Sequence, residues 1–315
     1  WIFTRPKLLE GLADLLLLYQ KSGGQYLVRR LGLLRRLSPR LDQLEQLLPP
    51  LPPRHLRFEL RDQVPSRGEQ RQRVGFFAGC VMPLFYSPAN LATVRVLATN
   101  GCAVITPWGQ KCCGAIHAHA GERELAKMLA RRNIDAFENA GVDTVVINAA
   151  GCGAMLKEYH LLLADDPAYR QKARAFSHKV KDISEFLASL PLRDRLGTIA
   201  ARVVYDDPCH LLHGQGIRHE PRLLLQKIPG LQLQELPEAD WCCGSAGIYN
   251  ITHPEISLSL LERKMKHIQM VDPDIVVTAN PGCLLQLQYG VRRFGLRARV
   301  LHLVELLDHA YRLVE

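Results

Sequence analysis

Eight of the nine cysteines form two sets of four with nearly the same spacing. Each set has a single cysteine, an adjacent pair followed by glycine, and a last single cysteine. The intervals are 32 and 39 residues in the first set and 33 and 40 in the second. Such agreement indicates a duplicated unit. The sets are Cys80, Cys112, Cys113 and Cys152, and then Cys209, Cys242, Cys243 and Cys283.

Thiols in these patterns are predicted to bind a metal cofactor. A long chain with an odd number of cysteines does not resemble a secreted disulfide framework, so we expect free thiols in a reducing compartment. A single zinc ion is usually held by Cys-x-x-Cys pairs, which the sequence lacks. Adjacent thiolates can reach different irons of one cluster, which favours an iron–sulfur cluster. The glycine after each pair, Gly114 and Gly244, permits close approach of the backbone to a bulky group.

Other interpretations of the cysteines stay open. Cysteine is among the most buried residue types and needs no ligand to be retained in a core. We apply this interpretation to Cys102, which lies outside the repeat at the start of a predicted strand. A redox dithiol or a vicinal disulfide is the third alternative for the adjacent pairs.

Several histidines follow the cysteines closely and are candidates for substitute ligands or for supporting contacts. The alternative is that they are polar loop residues or helix caps. The sequence before Glu255 has the form of a helix start, because proline is favoured in the first turn. These histidines are His117, His119, His210, His213 and His253.

Short apolar runs alternate with helical patterns from residue 74 onward, which predicts an α/β fold with mainly parallel sheets. The predicted strands are 74–78, 103–106, 144–148, 202–205, 231–236, 275–279 and 299–301. The predicted helices are 90–100, 121–139, 154–163, 221–228, 254–270 and 304–313. We expect two tandem homologous units, 74–190 and 191–315. The single cysteines follow predicted strands, so the carboxyl ends of parallel strands would bring each set together.

A basic arm precedes the two units. Residues 1–73 hold 14 Lys and Arg against 7 Asp and Glu, whereas the remaining residues are nearly neutral. Residues 1–47 predict two amphipathic helices separated at Gly23 and Gly24, and residues 48–73 predict a proline-rich linker. Such an arm either docks on its own protein or a partner subunit, or contacts a membrane surface. It lacks the motifs of nucleic-acid binding, so we expect no nucleic-acid partner.

Some functions are disfavoured by the motifs that the sequence lacks. No apolar run is long enough to span a bilayer, and no signal peptide is legible. The chain starts at Trp1 rather than Met, so we expect sequence to precede it. No dinucleotide-binding glycine motif follows a strand, and there is no phosphate loop or serine elbow. Hydride transfer from a hydroxy acid would therefore require a flavin in another subunit.

The repeated pattern resembles the CCG cysteine-rich domain of heterodisulfide reductase subunits and, more closely, the family of bacterial glycolate oxidase (glycolate dehydrogenase) iron–sulfur subunits. The resemblance covers essentially the whole chain. Its matching stretches are residues 109–115, 132–137, 150–154, 157–159, 242–247, 252–254 and 277–283, together with Tyr249.

The resemblance implies an electron-transfer subunit of an oxidoreductase complex, with no catalytic residue of its own. All eight repeated cysteines would hold iron–sulfur clusters, of the [4Fe-4S] type, with zinc in one unit as an alternative. FAD would lie in a partner flavoprotein that oxidises glycolate, and electrons would pass toward a membrane acceptor such as quinone. We expect a cytoplasmic protein, with peripheral contact to the inner face of the membrane through the arm. The alternatives are a lactate-, glycerol-3-phosphate- or heterodisulfide-linked complex, or a zinc-stabilised scaffold.

The sequence departs from these families in two ways. The glycolate oxidase family normally begins with a ferredoxin-like domain that carries cysteine runs for two [4Fe-4S] clusters, and no such run is present. The heterodisulfide reductase pattern ends in Cys-x-x-Cys, whereas Met155 and Gln286 stand at the last position here. The fifth ligand of a non-cubane cluster is therefore missing from both units.

Overall fold

The computed structural model describes residues 4–193 and 195–314. Two separate sheets form the body of the chain. The first contains five strands, β1 (Gln63–Val64), β2 (Gln72–Phe77), β3 (Cys102–Ile105), β4 (Thr144–Ile147) and β5 (Val180–Asp182). The second contains four, β6 (Ala201–Tyr205), β7 (Leu231–Gln234), β8 (Ile275–Thr278) and β9 (Arg299–His302). All seven predicted strands are present, within a few residues of their predicted bounds.

The two sheets repeat one topology. The strand order is β1-β3-β2-β4-β5 in the first and β7-β6-β8-β9 in the second, so β2 to β5 correspond in order to β6 to β9. All pairs among these eight strands are parallel, and β1 alone pairs antiparallel, to β3. The predicted fold class, two tandem α/β units with mainly parallel sheets, is confirmed. The sequence patterns did not predict β1 and β5, because runs of two and three residues carry almost no alternation.

Helices connect successive strands, as parallel pairing requires. In the first unit they are α5 (Met82–Phe85), α6 (Ser87–Thr99), α7 (Ala115–His119), α8 (Arg123–Asn139), α9 (Ala150–Lys157), α10 (Tyr159–Leu162), α11 (Arg170–Lys179) and α12 (Ile183–Ala188). In the second they are α13 (Cys209–Gln215), α14 (His219–Gln226), α15 (Tyr249–Thr252), α16 (Pro254–Val271), α17 (Pro281–Phe294) and α18 (Leu303–Arg312). The predicted helix 154–163 was wrong in its bounds, since helix begins at Ala150 and is interrupted at Glu158.

The arm folds as four helices, α1 (Pro6–Lys21), α2 (Gly24–Leu31), α3 (Leu33–Leu37) and α4 (Pro39–Gln46). The prediction of one continuous second helix was wrong. Gly32 adopts a left-handed conformation, with φ of 60°, and ends α2. Ser38 is extended and caps α4, whose first residue is Pro39. Both features turn the chain, because neither conformation continues a helix.

The two units pack against each other through helices of both units. α6 of the first unit lies against α18 of the second, and α12 lies against α14. The guanidinium of Arg95 makes two 2.8 Å hydrogen bonds to the carboxylate of Asp308 across this interface. The buried His302 donates from Nε2 to the carbonyl oxygen of Asn148 over 2.7 Å. One continuous hydrophobic core therefore includes side chains of both units.

The predicted boundaries after residues 47, 73 and 190 remain predictions. Strand β1 lies inside the predicted linker and pairs with the first sheet. Within residues 4–193 and 195–314, no helix is long and apolar enough to cross a membrane.

Candidate iron–sulfur site

The first set of cysteines converges at the carboxyl ends of β2 and β4. Cys80 follows β2, Cys112 and Cys113 precede α7, and Cys152 lies in the first turn of α9. β2 and β4 are neighbours in the sheet, and the chain crosses to opposite sides after each of them. This reversal opens a crevice beyond the strand ends, where ligands of α/β proteins bind. The order of the strands thus explains why residues distant in sequence meet.

The four thiols of the first set form a chain of hydrogen bonds. Cys112 accepts from the thiols of Cys113 and Cys80, and these bonds lower the pKa of Cys112 to about 3. The same contacts raise the pKa of Cys80 and Cys113 well above the usual value, and Cys113 also contacts Cys152. Opposite shifts of this kind are expected where thiols lie close enough to hydrogen-bond one another. All four predicted residues of this set lie together.

The second set repeats the arrangement. Cys242 accepts from Cys209 and Cys243, which lowers the pKa of Cys242 to about 2. The pKa of Cys209 and Cys243 is raised, and Cys243 also contacts Cys283. Cys209 begins α13 after β6, and Cys283 lies in α17 after β8. Each set therefore meets as the sequence spacing predicted.

The glycine after each cysteine pair is required by the backbone. Gly114 and Gly244 both have φ of 91°, a left-handed conformation that favours glycine. Their N–H groups point back to Sγ of Cys112 at 3.5 Å and of Cys242 at 3.3 Å. A Cβ on Gly244 would overlap the carbonyl oxygen of Ser257. These turns place an N–H dipole on the thiolate of each pair.

Polar side chains that sequence reasoning did not single out hold the first cysteine loop. Asn133 Nδ2 donates to the Cys112 carbonyl oxygen over 3.0 Å and accepts at Oδ1 from the Lys111 N–H over 2.7 Å. The Tyr159 hydroxyl donates to the Cys113 carbonyl oxygen over 2.8 Å. Both side chains are fully buried. An asparagine on the apolar face of α8 was the available signal for this role.

A buried ion pair supports the second loop instead. Lys264 Nζ lies 2.9 Å from Asp206 Oδ1 and donates to the carbonyl oxygens of Glu238 and Ala239. Burial raises the pKa of Asp206, and Lys264 opposes that shift. The positive charge of Lys264 also contributes to the low pKa of Cys242. The two thiol sets therefore have different electrostatic surroundings, which their similar spacing did not reveal.

The structure separates the candidate histidines by environment. His119 and His210 stack between the units, with ring centroids 5.7 Å apart and an interplanar angle of 18°. His210 Nδ1 lies 3.7 Å from the sulfur of Cys209, and burial lowers the pKa of this histidine. His253 precedes α16 as predicted and bonds Thr252, while His213 is exposed.

His117 is buried beside the first set. Neither ring nitrogen has a hydrogen-bond partner among the described residues, although the side chain is only 4% exposed. A buried polar group without a partner is rare and signals a missing contact. His117 is one of the groups that lower the pKa of Cys112, because its ring lies near the thiols.

The donor groups that the fold gathers here are thiols. In the part of the chain that the structure describes, no group of three or more His, Cys, Asp or Glu is arranged to hold a metal ion. Each set nevertheless supplies four thiols at the end of a sheet. The orphaned nitrogens of His117 supply donors of the kind that bonds cluster sulfurs. Cys102, by contrast, is fully buried elsewhere in the core, and burial raises its pKa to about 11, as expected for a structural thiol.

Two cavities open between the units. One, of about 380 Å³, is lined by all four cysteines of the first set, by residues of the second unit and by the arm. The other, of about 510 Å³, is lined by charged residues that include Arg95, Asp274 and Arg299, and it contains no cysteine among its described lining residues.

Comparisons with known proteins match both cysteine-containing units and the arm. Residues 74–157 and 203–288 each match the family described as "CCG: Cysteine-rich domain", and residues 1–48 match "Glycolate oxidase iron-sulfur subunit, linker region". The chain is 43% identical over 313 residues to the "Probable glycolate oxidase iron-sulfur subunit" of Bacillus subtilis, covering 98% of this chain and 70% of that protein.

Further relatives cover the same region. The "Glycolate oxidase iron-sulfur subunit" of Escherichia coli is 33% identical, over 88% of this chain and 70% of that protein. "Lactate utilization protein A" of Halalkalibacterium halodurans is 32% identical, over 76% of this chain and 98% of that protein. A crystal structure of a hypothetical protein from Helicobacter pylori has a similar fold, with a TM-score of 0.55 at 10% identity, over 86% of this chain and 57% of that one.

Proposed function

The chain belongs to the family of glycolate oxidase iron–sulfur subunits, so it is an iron–sulfur subunit of a 2-hydroxy-acid dehydrogenase. On this basis we propose the following route for its electrons. They come from a partner flavoprotein that carries FAD and oxidises glycolate, and they leave toward a membrane acceptor. The observation that carries this proposal is the convergence of two sets of four thiols at equivalent sheet ends.

We propose that each set holds one iron–sulfur cluster of the [4Fe-4S] type. Cys80, Cys112, Cys113 and Cys152 would hold the first, and Cys209, Cys242, Cys243 and Cys283 the second. Such a cluster, when bound, supplies a one-electron redox centre. The N–H groups of Gly114 and Gly244, which point to Sγ of Cys112 and of Cys242, would stabilise thiolate ligands in each loop.

The residues at the fifth position argue against a non-cubane cluster. Met155 and Gln286 are buried, and Gln286 donates to the hydroxyl of Ser257 over 2.9 Å. Neither a thioether nor an amide that already makes a hydrogen bond replaces a thiolate ligand. This feature favours ordinary clusters over heterodisulfide chemistry.

The proposal also names the substrate of the partner flavoprotein. Glycolate is favoured over lactate because the linker match is specific to glycolate oxidase subunits and spans the arm. The similarity to a lactate utilization protein keeps lactate as the second candidate. Assays of the complex with glycolate, lactate and glycerol-3-phosphate would rank these substrates.

Metal analysis of conservative variants tests the cluster assignment. Anaerobically purified protein should contain iron and sulfide and give an EPR signal on reduction. Cys112→Ser and Cys242→Ser should each remove one cluster, and so about half of the iron. Cys102→Ser is the matched control and should retain all of it. Iron-free native protein, zinc in place of iron, or equal loss in the control would contradict the assignment.

The same variants separate electron transfer from a scaffold role. If the chain only holds the flavoprotein in place, Cys112→Ser and Cys242→Ser would leave electron transfer through the assembled complex intact. Under the proposal both variants assemble normally, and electron transfer is lost in at least one.

We also propose that the arm contacts an anionic membrane surface, in keeping with a cytoplasmic location. Leu18 and Leu37 are 65% and 77% exposed, and the exposed Arg35 and Arg36 directly precede Leu37. The acidic Glu45 is already paired, with Arg29 at 2.9 Å. Exposed leucines beside exposed arginines fit a lipid surface with negative headgroups.

Vesicle flotation tests the membrane contact. The protein should bind phosphatidylglycerol vesicles, and less so at high salt. The double change Arg35→Glu and Arg36→Glu should weaken binding by roughly tenfold or more, since each basic residue near the surface contributes about 1 kcal/mol. Lys266→Glu, an exposed change in the second unit, is the control. Equal binding to neutral vesicles, or an unchanged double variant, would argue for a protein partner instead.

A further inference from the structure

The second sheet has an edge that no other strand covers. β7 is its outermost strand and pairs with β6 on one side only. In the first sheet the corresponding strand, β3, has a second neighbour, because the short strand β1 lies antiparallel along its outer side. Within the residues that the structure describes, no strand takes the place of β1 in the second unit. The backbone groups on the outer side of β7 are therefore available to pair with another chain.

The segment before β6, which corresponds in chain order to β1 in the first unit, is held elsewhere. The Gly197 N–H donates to the carbonyl oxygen of Ala310 in α18 over 2.8 Å. The Ile199 N–H donates to the carbonyl oxygen of Pro229, also over 2.8 Å. Because these bonds fix the segment beside α18 and ahead of β7, it does not cover the outer side of that strand.

The other three sheet edges have features that discourage pairing with another chain, and β7 has none of them. β1 is only two residues long, β5 contains Lys181, and β9 begins with Arg299. Very short strands and charged side chains are the usual protection of an exposed edge. β7 has the sequence Leu-Gln-Leu-Gln, without a charge or a proline. Its edge is therefore suited to accept a further strand.

The alternation in β7 is self-complementary in an antiparallel pair. Leu231 and Leu233 share one face of the strand and pack partly against the core, whereas Gln232 lies on the other face and is exposed. About a two-fold axis at Gln232, Leu231 of one copy lies opposite Leu233 of the other, and the two Gln232 side chains face each other. Side chains opposite each other in this way have Cβ atoms about 4.5–5.5 Å apart. Leucines thus meet leucines, and amides meet amides.

The charges that flank β7 favour the same arrangement. Lys227 precedes the strand, is exposed and forms no ion pair among the described residues. Glu235 follows the strand, and its side chain is 74% exposed although it contacts Arg222 at 3.3 Å. In an antiparallel pair the beginning of one strand lies beside the end of the other. Each Lys227 would therefore lie on the side of Glu235 in the second copy, and opposite charges would meet at both ends.

We propose that β7 pairs antiparallel with β7 of a second copy of this chain, so that two four-stranded sheets become one continuous sheet. Such an interface uses the same surface on both copies and closes at a dimer. A pair of four-residue strands is small for a permanent interface, so the dimer should form only as the protein concentration rises. The proposal is independent of the proposed electron route, because it uses none of the cysteines.

Sedimentation velocity of the full chain, purified anaerobically and measured over a range of concentrations, tests the dimer. Gln232→Glu and Gln232→Lys each place two like charges opposite each other at the axis. Each change should raise the dissociation constant of the dimer by about tenfold or more. An equal mixture of the two variants should form dimers again, because opposite charges then face each other. Gln269→Glu, at an exposed position of α16, is the matched control and should dimerise as the unchanged protein does.

Three results would overturn the β7 dimer. The first is an unchanged chain that stays monomeric at every concentration, and the second is a dimer that Gln232→Glu and the control affect equally. The third is a mixture of the two charge variants that dimerises no better than either variant alone. If the chain alone is monomeric and Gln232→Glu instead weakens binding of the flavoprotein, the edge belongs to that partner and the dimer is wrong.

Discussion

Replacing Gly244 by alanine is the sharpest test of how the cysteine loops are built. The residue has φ of 91°, and a Cβ there would overlap the carbonyl oxygen of Ser257. That oxygen belongs to the backbone of α16, so it cannot rotate away as a side-chain end could. The Ser257 hydroxyl also donates to the Gly244 carbonyl oxygen over 2.8 Å, which holds the two segments together.

The expected loss combines two effects. A non-glycine residue in the left-handed region costs roughly 1–2 kcal/mol. Forcing a methyl group into a packed contact adds about 1–3 kcal/mol. Gly216→Ala provides the reference for the first effect alone, because φ is 70° there and no atom lies within 4 Å of the added Cβ. Gly114→Ala should be intermediate, since its nearest contact would be Ala126 Cα at 3.3 Å.

Urea denaturation of the three variants under anaerobic conditions measures this order. The midpoint should fall most for Gly244→Ala, less for Gly114→Ala and least for Gly216→Ala. Iron content should follow the same order for the two loop glycines, because the shifted N–H no longer bonds the thiolate. A Gly244→Ala midpoint no lower than that of Gly216→Ala would refute the packing argument, even if both were lower than that of the unchanged protein.

Two further predictions concern buried histidines. His117→Ala should leave the iron content nearly unchanged but lower the midpoint potential of one cluster, because a hydrogen-bond donor near its sulfurs is removed. His213→Ala on an exposed part of α13 is the control, and equal potentials in the two variants would contradict the prediction. Burial lowers the pKa of His302 to about 4 from 6.5, so the unfolded chain binds the extra proton between these values. Stability should therefore decrease as the pH falls from 6.5 to 4, by about 3 kcal/mol from this residue. In the variant His302→Asn, whose side chain can still cap α18, the free energy of unfolding measured in urea should decrease less over this pH range. An unchanged dependence of this free energy on pH would show that His302 is not its source.

The electrostatic difference between the two thiol sets has a functional meaning under the proposed electron route. The second set lies near the buried ion pair of Lys264 with Asp206, in which Lys264 lowers the pKa of Cys242 and Asp206 raises that of Cys243, whereas the first has the neutral amide of Asn133 and the histidine His117 nearby. The charges around a redox centre set how much its more negative, reduced form is stabilised. The duplicated units therefore need not have equal potentials, which is useful for directional transfer.

Sequence reasoning predicted the architecture well, for a physical reason. Parallel strands buried on both faces are continuous apolar runs, such as residues 74–78 and 275–279. Such runs can be recognised in the sequence without knowing which strands pair with them. The two shortest strands and the short helices were missed, because one or two periods are too few to establish a pattern. The longer helices α11 and α17 were also not predicted. The break of the arm at Gly32 was missed because leucines continue on both sides of it.

By itself, the sequence determined the two sets of four thiols, their duplication and the sheet ends where they would meet. These follow from residue type and from chain order, which are local properties. Only the tertiary structure decided what surrounds each set: Asn133 and Tyr159 in one unit, Lys264 with Asp206 in the other, and the orphaned nitrogens of His117. It also decided that residues of the arm and of the second unit line a cavity beside the first set. Such contacts join residues from separate elements, and their distances depend on how the sheets and helices pack rather than on any spacing along the chain.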